Sequence, residues 1–218
     1  MACPSPVKLA PNALTTLCSM KFMLGIAPED SDAQRDAVIV NMINAVSAWV
    51  ERMTGRNLSK QTYTQSYNAS GAQFLVLLQW PIISVDYVLD ITTGLEIPPD
   101  EYRIEDNGRG PGVLYKDNGW PLRGYRGGLA FDITAPMRAL EVKYTAGYVL
   151  PKDATETDPC TLPYDLQSVV WGAVTQEFTL MQNGAQSLTA FSISDVSWTF
   201  DKNPRQTWLD IIGYYTRL

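Results

Sequence analysis

The chain contains no histidine. This removes Ser-His-Asp and Cys-His nucleophile pairs, His-zinc sites and the usual general base near neutral pH. Cysteine is scarce and odd in number: Cys3, Cys18 and Cys160 lie far apart, with no C-x-x-C. They are expected to be reduced thiols of a cytosolic product, with neither a disulfide framework nor a zinc cluster. No apolar run approaches the roughly 18–20 residues of a membrane-spanning helix, so no membrane association is expected. The first residues lack a basic stretch leading into an apolar one, so no secretion signal is read. Basic side chains are outnumbered, 17 Lys and Arg against 23 Asp and Glu, giving a net charge of -6. Phosphate neutralisation supplies most non-specific nucleic-acid affinity, so such a chain is a poor default binder of DNA or RNA.

What remains is ordinary globular material. The 218 residues are 45% hydrophobic and 18% charged, which excludes a disordered chain and permits a real core without staples. Residues 1–13 are Pro-rich and aperiodic, a flexible or extended arm. Thr16 then offers an N-cap, Leu17, Met20 and Leu24 share a helical face, and Gly25 follows, which predicts a short helix. Ser31 or Asp32 caps a second helix from Ala33 to Gly55. Its stripe of Ile39, Met42, Ile43, Val46, Val50 and Met53 is widened by Val38, Ala45 and Trp49, as expected of a helix buried between two neighbours.

After Arg56 the period changes. Tyr63, Gln65 and Tyr67 alternate with Thr and Ser, and Phe74–Leu78, Val85–Ile91, Tyr102–Glu105, Val113–Tyr115 and Leu129–Ile133 read as strands. The cleanest alternation is Leu140, Val142, Tyr144 against Glu141, Lys143, Thr145. Helical spacing returns after Thr161-Leu162-Pro163, through Leu166, Val169, Val170, Ala173, Val174, Phe178 and Met181, and stops at Asn183-Gly184. Ser187–Phe200 alternates with a change of parity near Asp195, predicting a bend or bulge. Asn203-Pro204 opens a last helix with Trp208, Ile211, Ile212 and Tyr215 on one face.

This order predicts an α+β fold, mainly a helical bundle with an inserted small antiparallel β-domain. The expected division is a flexible N-terminal arm at 1–13, a helical part at 14–60, an inserted β-domain at 61–150, and a helical part with an aromatic arm and C-terminal helix at 151–218.

Few residues suggest chemistry. Glu29-Asp30-Asp32 and Asp100-Glu101 sit in loops beside prolines and read as solvated charge rather than an acid/base pair. Asp153, Glu156 and Asp158 lack the ligand spacing of a calcium loop. Neither Gly108–Gly112 nor Arg123–Gly128 matches a nucleotide-binding fingerprint. The second resembles a single RGG tract and reads as a hairpin loop, with contact to another protein or to passing DNA as the functional alternative. Trp49, Trp171 and Trp208 fall on helical stripes, as packing residues do. Tyr63, Tyr67, Tyr87, Trp120 and Tyr125 would suit either sheet packing or a sugar platform. Phe191, Trp198 and Phe200 lie between helices, where an aromatic arm can serve a subunit interface.

An ordered set of motifs carries a family resemblance. Leu14-Thr15-Thr16-Leu17 to Leu24-Gly25-Ile26 is followed by an acidic loop, and Trp49-Val50-Glu51-Arg52-Met53-Thr54-Gly55-Arg56 closes the long helix. Trp80-Pro81-Ile82-Ile83-Ser84-Val85 follows. Val142-Lys143-Tyr144-Thr145-Ala146-Gly147-Tyr148 precedes Leu162-Pro163-Tyr164-Asp165-Leu166, and the chain closes on Tyr214-Tyr215-Thr216-Arg217. This set, spanning most of 14–217, resembles the gp6-like head–tail connector (adaptor) proteins of tailed bacteriophages. The Pro-rich arm and the long region near 105–130 depart from that pattern.

The resemblance implies a non-enzymatic structural virion protein with no cofactor and no metal. It implies a cyclic homo-oligomer, a dodecamer, assembled in the host cytoplasm and located at the head–tail interface of the virion. Its partners would be the portal protein and a downstream stopper or tail protein, with genomic DNA passing through the ring without sequence-specific binding. Ring closure needs two different complementary faces on each subunit. The residues expected at the portal or subunit interface are Phe191, Trp198, Phe200, Trp208, Tyr214, Tyr215 and Arg217. Arg109, Arg123, Tyr125 and Arg126 are expected in loops contacting a neighbour or the channel. A carbohydrate- or receptor-binding virion module is the alternative reading, and a carboxylate-dependent hydrolase, which needs two acids across a cleft, is a third.

Overall fold

The computed structural model describes residues 7–105, 111–122, 138–184, 190–193, 196–199 and 204–216, and for 190–193 and 196–199 it describes the backbone. The chain divides into two compact units, one drawn from Met1–Gly55 and Val149–Thr216, the other from Arg56–Tyr148.

The first unit is helical. Helix α1 (Leu17–Met23) is capped by Thr16, whose hydroxyl accepts from Ser19 N–H at 3.1 Å. Helix α2 (Ala33–Thr54) starts at Asp32, which accepts from the backbone of Gln34 and Arg35, and ends on Gly55 in the left-handed conformation. These caps satisfy backbone donors and acceptors that a helix end leaves open. The chain returns to this unit at Val149. Thr161 accepts from Val149 N–H instead of capping the helix that follows.

Residues 8–13, part of the arm expected to be flexible, and Leu14 after it are tied along α2. Asn44 accepts from Ala10 N–H and donates to Lys8 O, Ser47 accepts from Leu14 N–H at 3.0 Å, and Asn12 donates to Glu51. Ala13 and Leu14 are fully buried. Cys18 is disulfide-bonded and Cys160 is a free, exposed thiol. The expectation of reduced thiols throughout is therefore corrected at Cys18.

The second unit is built of strands. Its elements are β1 (Gln61–Tyr67), β2 (Phe74–Val76), β3 (Ile82–Asp90), β4 (Leu95–Glu96), β5 (Arg103–Glu105), β6 (Val113–Tyr115) and β7 (Leu140–Ala146). A four-stranded antiparallel sheet runs β1-β7-β3-β4, and a three-stranded one runs β2-β6-β5. Strand β7 is central, with Leu140, Val142, Tyr144 and Ala146 buried at every second position. The two sheets share one core, in which Tyr67, Leu75, Val88, Leu114, Trp120, Val142 and Tyr144 meet.

Helix α3 (Tyr164–Gln182), strands β8 (Ala190–Ile193) and β9 (Val196–Thr199), and helix α4 (Gln206–Tyr214) complete the chain. β8 and β9 pair antiparallel, and the bend or bulge expected near Asp195 lies outside the described residues. The strand expected at Leu129–Ile133 lies outside the described residues.

The expectation of a mainly helical bundle is overturned. Among the described residues there are four α-helices, two antiparallel sheets in the second unit and the separate β8–β9 pair, a mixed α+β fold. The reason is length and partnership. α1 and α4 have only 7 and 9 residues, whereas the strands build two sheets with their own buried core. No described helix is long and apolar enough to cross a membrane.

Candidate interaction surface

The motif residues of the second unit form scaffold. The Arg56 guanidinium stacks 3.7 Å from the Trp80 ring centre and 5.8 Å from that of Tyr148, and it donates to Trp80 O. Gly147 adopts φ +106 and donates to Pro81 O at 3.0 Å, while Tyr148 exchanges backbone hydrogen bonds with the 58–60 segment. A Cβ on Gly147 would lie 2.5 Å from Ser59 O, so glycine is required by both conformation and space. Arg56, Trp80-Pro81 and Gly147-Tyr148, distant in sequence, mark one packed junction within the second unit.

Aromatic residues of this unit divide into core and surface. Tyr67 and Trp120 are buried and Tyr63 packs on Tyr144 with ring centres 5.7 Å apart, which removes them from any exposed sugar platform. The Tyr67 and Tyr144 hydroxyls lie 3.0 Å apart, and both donate to Gln65 Oε1. Leu78 N–H and Gln79 N–H donate into the same pair. Burial, reinforced by Tyr67, pushes the Tyr144 phenol well above the ordinary tyrosine range, so it is neutral and structural. Tyr87 donates to Glu141 at 2.8 Å, and that carboxylate raises its phenol as well. The outward face of the three-stranded sheet is different. Phe74, 58% exposed, packs on Tyr115 at 6.0 Å, and Arg103 stacks on Tyr115 from the other side at 4.2 Å.

In the helical unit, α4 uses its aromatics unequally. Tyr215 is buried and donates to both Asp165 oxygens at 2.9 Å, anchoring the end of α4 to the start of α3. Trp208 lies against Gly172 of α3. Tyr214 is 76% exposed. Of the three, Tyr214 is exposed, whereas Trp208 and Tyr215 pack within the unit, Trp208 also lining a groove. Phe191 and Trp198 occupy directly paired positions of the hairpin. Phe200, Arg217, Arg109, Arg123, Tyr125 and Arg126 lie outside the described residues.

Reading the residues in sequence missed an apolar groove of about 310 Å³ in this unit. Met42, Ala45, Val46 and Trp49 of α2 form one wall, Ala173, Gln176 and Glu177 of α3 the other, and Pro204 and Trp208 close it. Its signal was the excessive width of the α2 stripe. Ala45 and Trp49, two of the residues that widen the stripe expected to be buried between two neighbours, line this groove instead. Also missed is the outer end of α1, where Phe22 is 77% exposed beside half-exposed Met23. No described cluster of acidic or cysteine side chains has the makings of a metal site.

No protein-family model matches the chain, and no curated protein matches it. Several solved chains are similar, two of them as follows. A chain in the neck of an empty gene transfer agent particle, computed with C6 symmetry, is 14% identical, with a TM-score of 0.53 over 97% of this chain and 94% of that one. A chain in the virion of the native gene transfer agent particle is 15% identical, with a TM-score of 0.51 and the same coverage. At these identities the shared property is the fold.

Proposed function

We propose that this chain is a structural, non-enzymatic neck protein of a phage-like particle, a head–tail connector of the kind its motifs resemble. Subunits form a ring that docks on the portal after DNA packaging, extends the DNA channel and receives the next stopper or tail protein. The observation that carries this reading is the fold likeness over nearly the whole of both chains to a component of a particle neck. Cyclic symmetry in that neck favours a ring here too, and a dodecamer is compatible with a sixfold axis. The net charge of -6 fits a channel wall that does not hold the genome, through like-charge repulsion. Tyr214 on α4, together with the β8–β9 hairpin bearing Phe191 and Trp198, is the proposed portal-facing contact.

Negative-stain electron microscopy of the protein mixed with the portal encoded beside it tests this. Rings stacked on the portal's narrow end are expected, and Tyr214→Ala should weaken the docking while leaving the fold intact by circular dichroism. A protein that never decorates portals or emptied heads would overturn the connector reading.

A further inference from the structure

The groove and the exposed end of α1 lie on opposite sides of the α2–α3 pair. At about 100° per residue, Met42, Ala45, Val46 and Trp49 centre on one side of α2. Asp36, Asn44, Ser47 and Glu51, which hold Lys21 and the N-terminal segment, centre roughly 170° away. α3 repeats the arrangement: Trp171 donates to Thr15 Oγ1 at 2.8 Å, and lies roughly 170° around the helix from the Ala173, Gln176 and Glu177 lining. α1 buries Leu17, Met20 and Lys21 against these helices and leaves Phe22 and Met23 outside. One face of the unit is therefore an apolar recess and the opposite face an apolar projection.

We infer that Phe22 and Met23 of one subunit insert into the groove between α2, α3 and α4 of the next, a head-to-tail contact between copies of this chain. This rests on the ring reading above and assigns its subunit interface. Two surfaces on opposite faces cannot pair isologously, and a heterologous contact of this kind closes into a ring when the rotation permits. The recess has the volume of about ten waters, room for an aromatic side chain with its neighbour. Charge favours the same pairing. The loop that follows α1 carries exposed Glu29 and Asp32. The groove mouth carries Arg205, whose guanidinium lies 5.4 Å from the Trp208 ring centre. Glu177 on the lining is negative, so the acidic loop is steered to the Arg205 end.

The test places the photoreactive residue benzoylphenylalanine at position 22 of the full chain, in a mixture of isotopically light and heavy protein, with mass spectrometry of the crosslinked peptides. Crosslinks from position 22 to residues 42–49 or 173–177 of a different copy are expected. The paired substitution Phe22→Ala, Met23→Ala should weaken self-association roughly tenfold or more, and Arg205→Glu should weaken it with an unchanged melting temperature. Intrachain crosslinks alone, or interchain crosslinks to other segments, would overturn the inference. Rings that stack on portals yet lack these crosslinks would overturn this interface and leave the connector reading standing. Crosslinks at the groove without any portal docking would do the reverse.

Discussion

Gly172 of α3 and Trp208 of α4 are in such close contact that any side chain at position 172 would have to displace the indole. A Cβ there would lie 2.7 Å from Trp208 Cζ2 and 3.1 Å from Cε2, both atoms of a rigid, buried ring. A glycine in mid-helix costs up to about 1 kcal/mol relative to alanine, and here the indole's approach explains its presence. Gly172→Ala is expected to destabilise the protein by about 1 kcal/mol, because overpacking of about 1–3 kcal/mol outweighs the gain in helix propensity. In a Trp208→Ala background the same change should reverse sign and stabilise by up to about 1 kcal/mol. Urea unfolding of the four variants decides it, and additivity would disprove the steric coupling.

Lys21 and Asp36 form an ion pair at 2.6 Å with both side chains fully buried. Lys21 also donates to Asp30 O at 2.9 Å. Lys21→Met should cost about 3–5 kcal/mol by leaving a buried carboxylate alone, and adding Asp36→Leu should recover most of the loss. A double variant no more stable than the single one would show that the destabilisation comes from lost packing.

The Tyr144 phenol is raised in the folded state, first by burial and then by Tyr67. An acid whose folded value exceeds its unfolded one favours the protonated fold. Its contribution is fully present below the unfolded value near 10 and is lost as pH climbs from there through the folded value. Stability should therefore fall above about pH 10 by up to about 1.4 kcal/mol per pH unit from this group. Tyr144→Phe should remove that share of the slope while costing about 1–3 kcal/mol at neutral pH, since Gln79 N–H loses its acceptor. Chemical denaturation between pH 8 and 11.5 separates the two effects.

Gly147→Ala meets both a disfavoured φ and the Ser59 carbonyl at 2.5 Å. A loss of about 2–3 kcal/mol or more is expected. It should register in the 56–148 unit, as accelerated hydrogen exchange along β7. Unchanged protection of Tyr144 to Ala146 would contradict the proposed junction.

Local signals were legible wherever a backbone need is met by a neighbouring residue. Thr16, Asp32 and Gly55 announce helix ends because capping is a short-range matter. Alternation announced β1 and β7 because one face of β7 is buried and the matching face of β1 is half-buried, reaching full burial at Tyr67. The motifs behind the resemblance were legible too, but their meaning was not. Arg56, Trp80 and Tyr148 form one stacked junction and so report on the scaffold rather than on a binding site. Trp208 and Tyr215, expected at an interface, also make contacts inside the subunit, with Gly172 and Asp165, and Trp208 lines the groove besides.

The sequence by itself determined the helical and extended segments, the insertion of a strand-rich stretch between helical ones, and the absence of histidine chemistry. These follow from composition and from periods of 3.6 and 2, which any window of the chain reveals. Only the tertiary structure decided the balance of helix and sheet, the pairing of β7 with β1 and β3, and the exposure of Phe22 at the end of α1. Those depend on which surfaces meet across long separations in the chain. An apolar stripe reads the same in sequence whether a neighbour covers it or leaves it open.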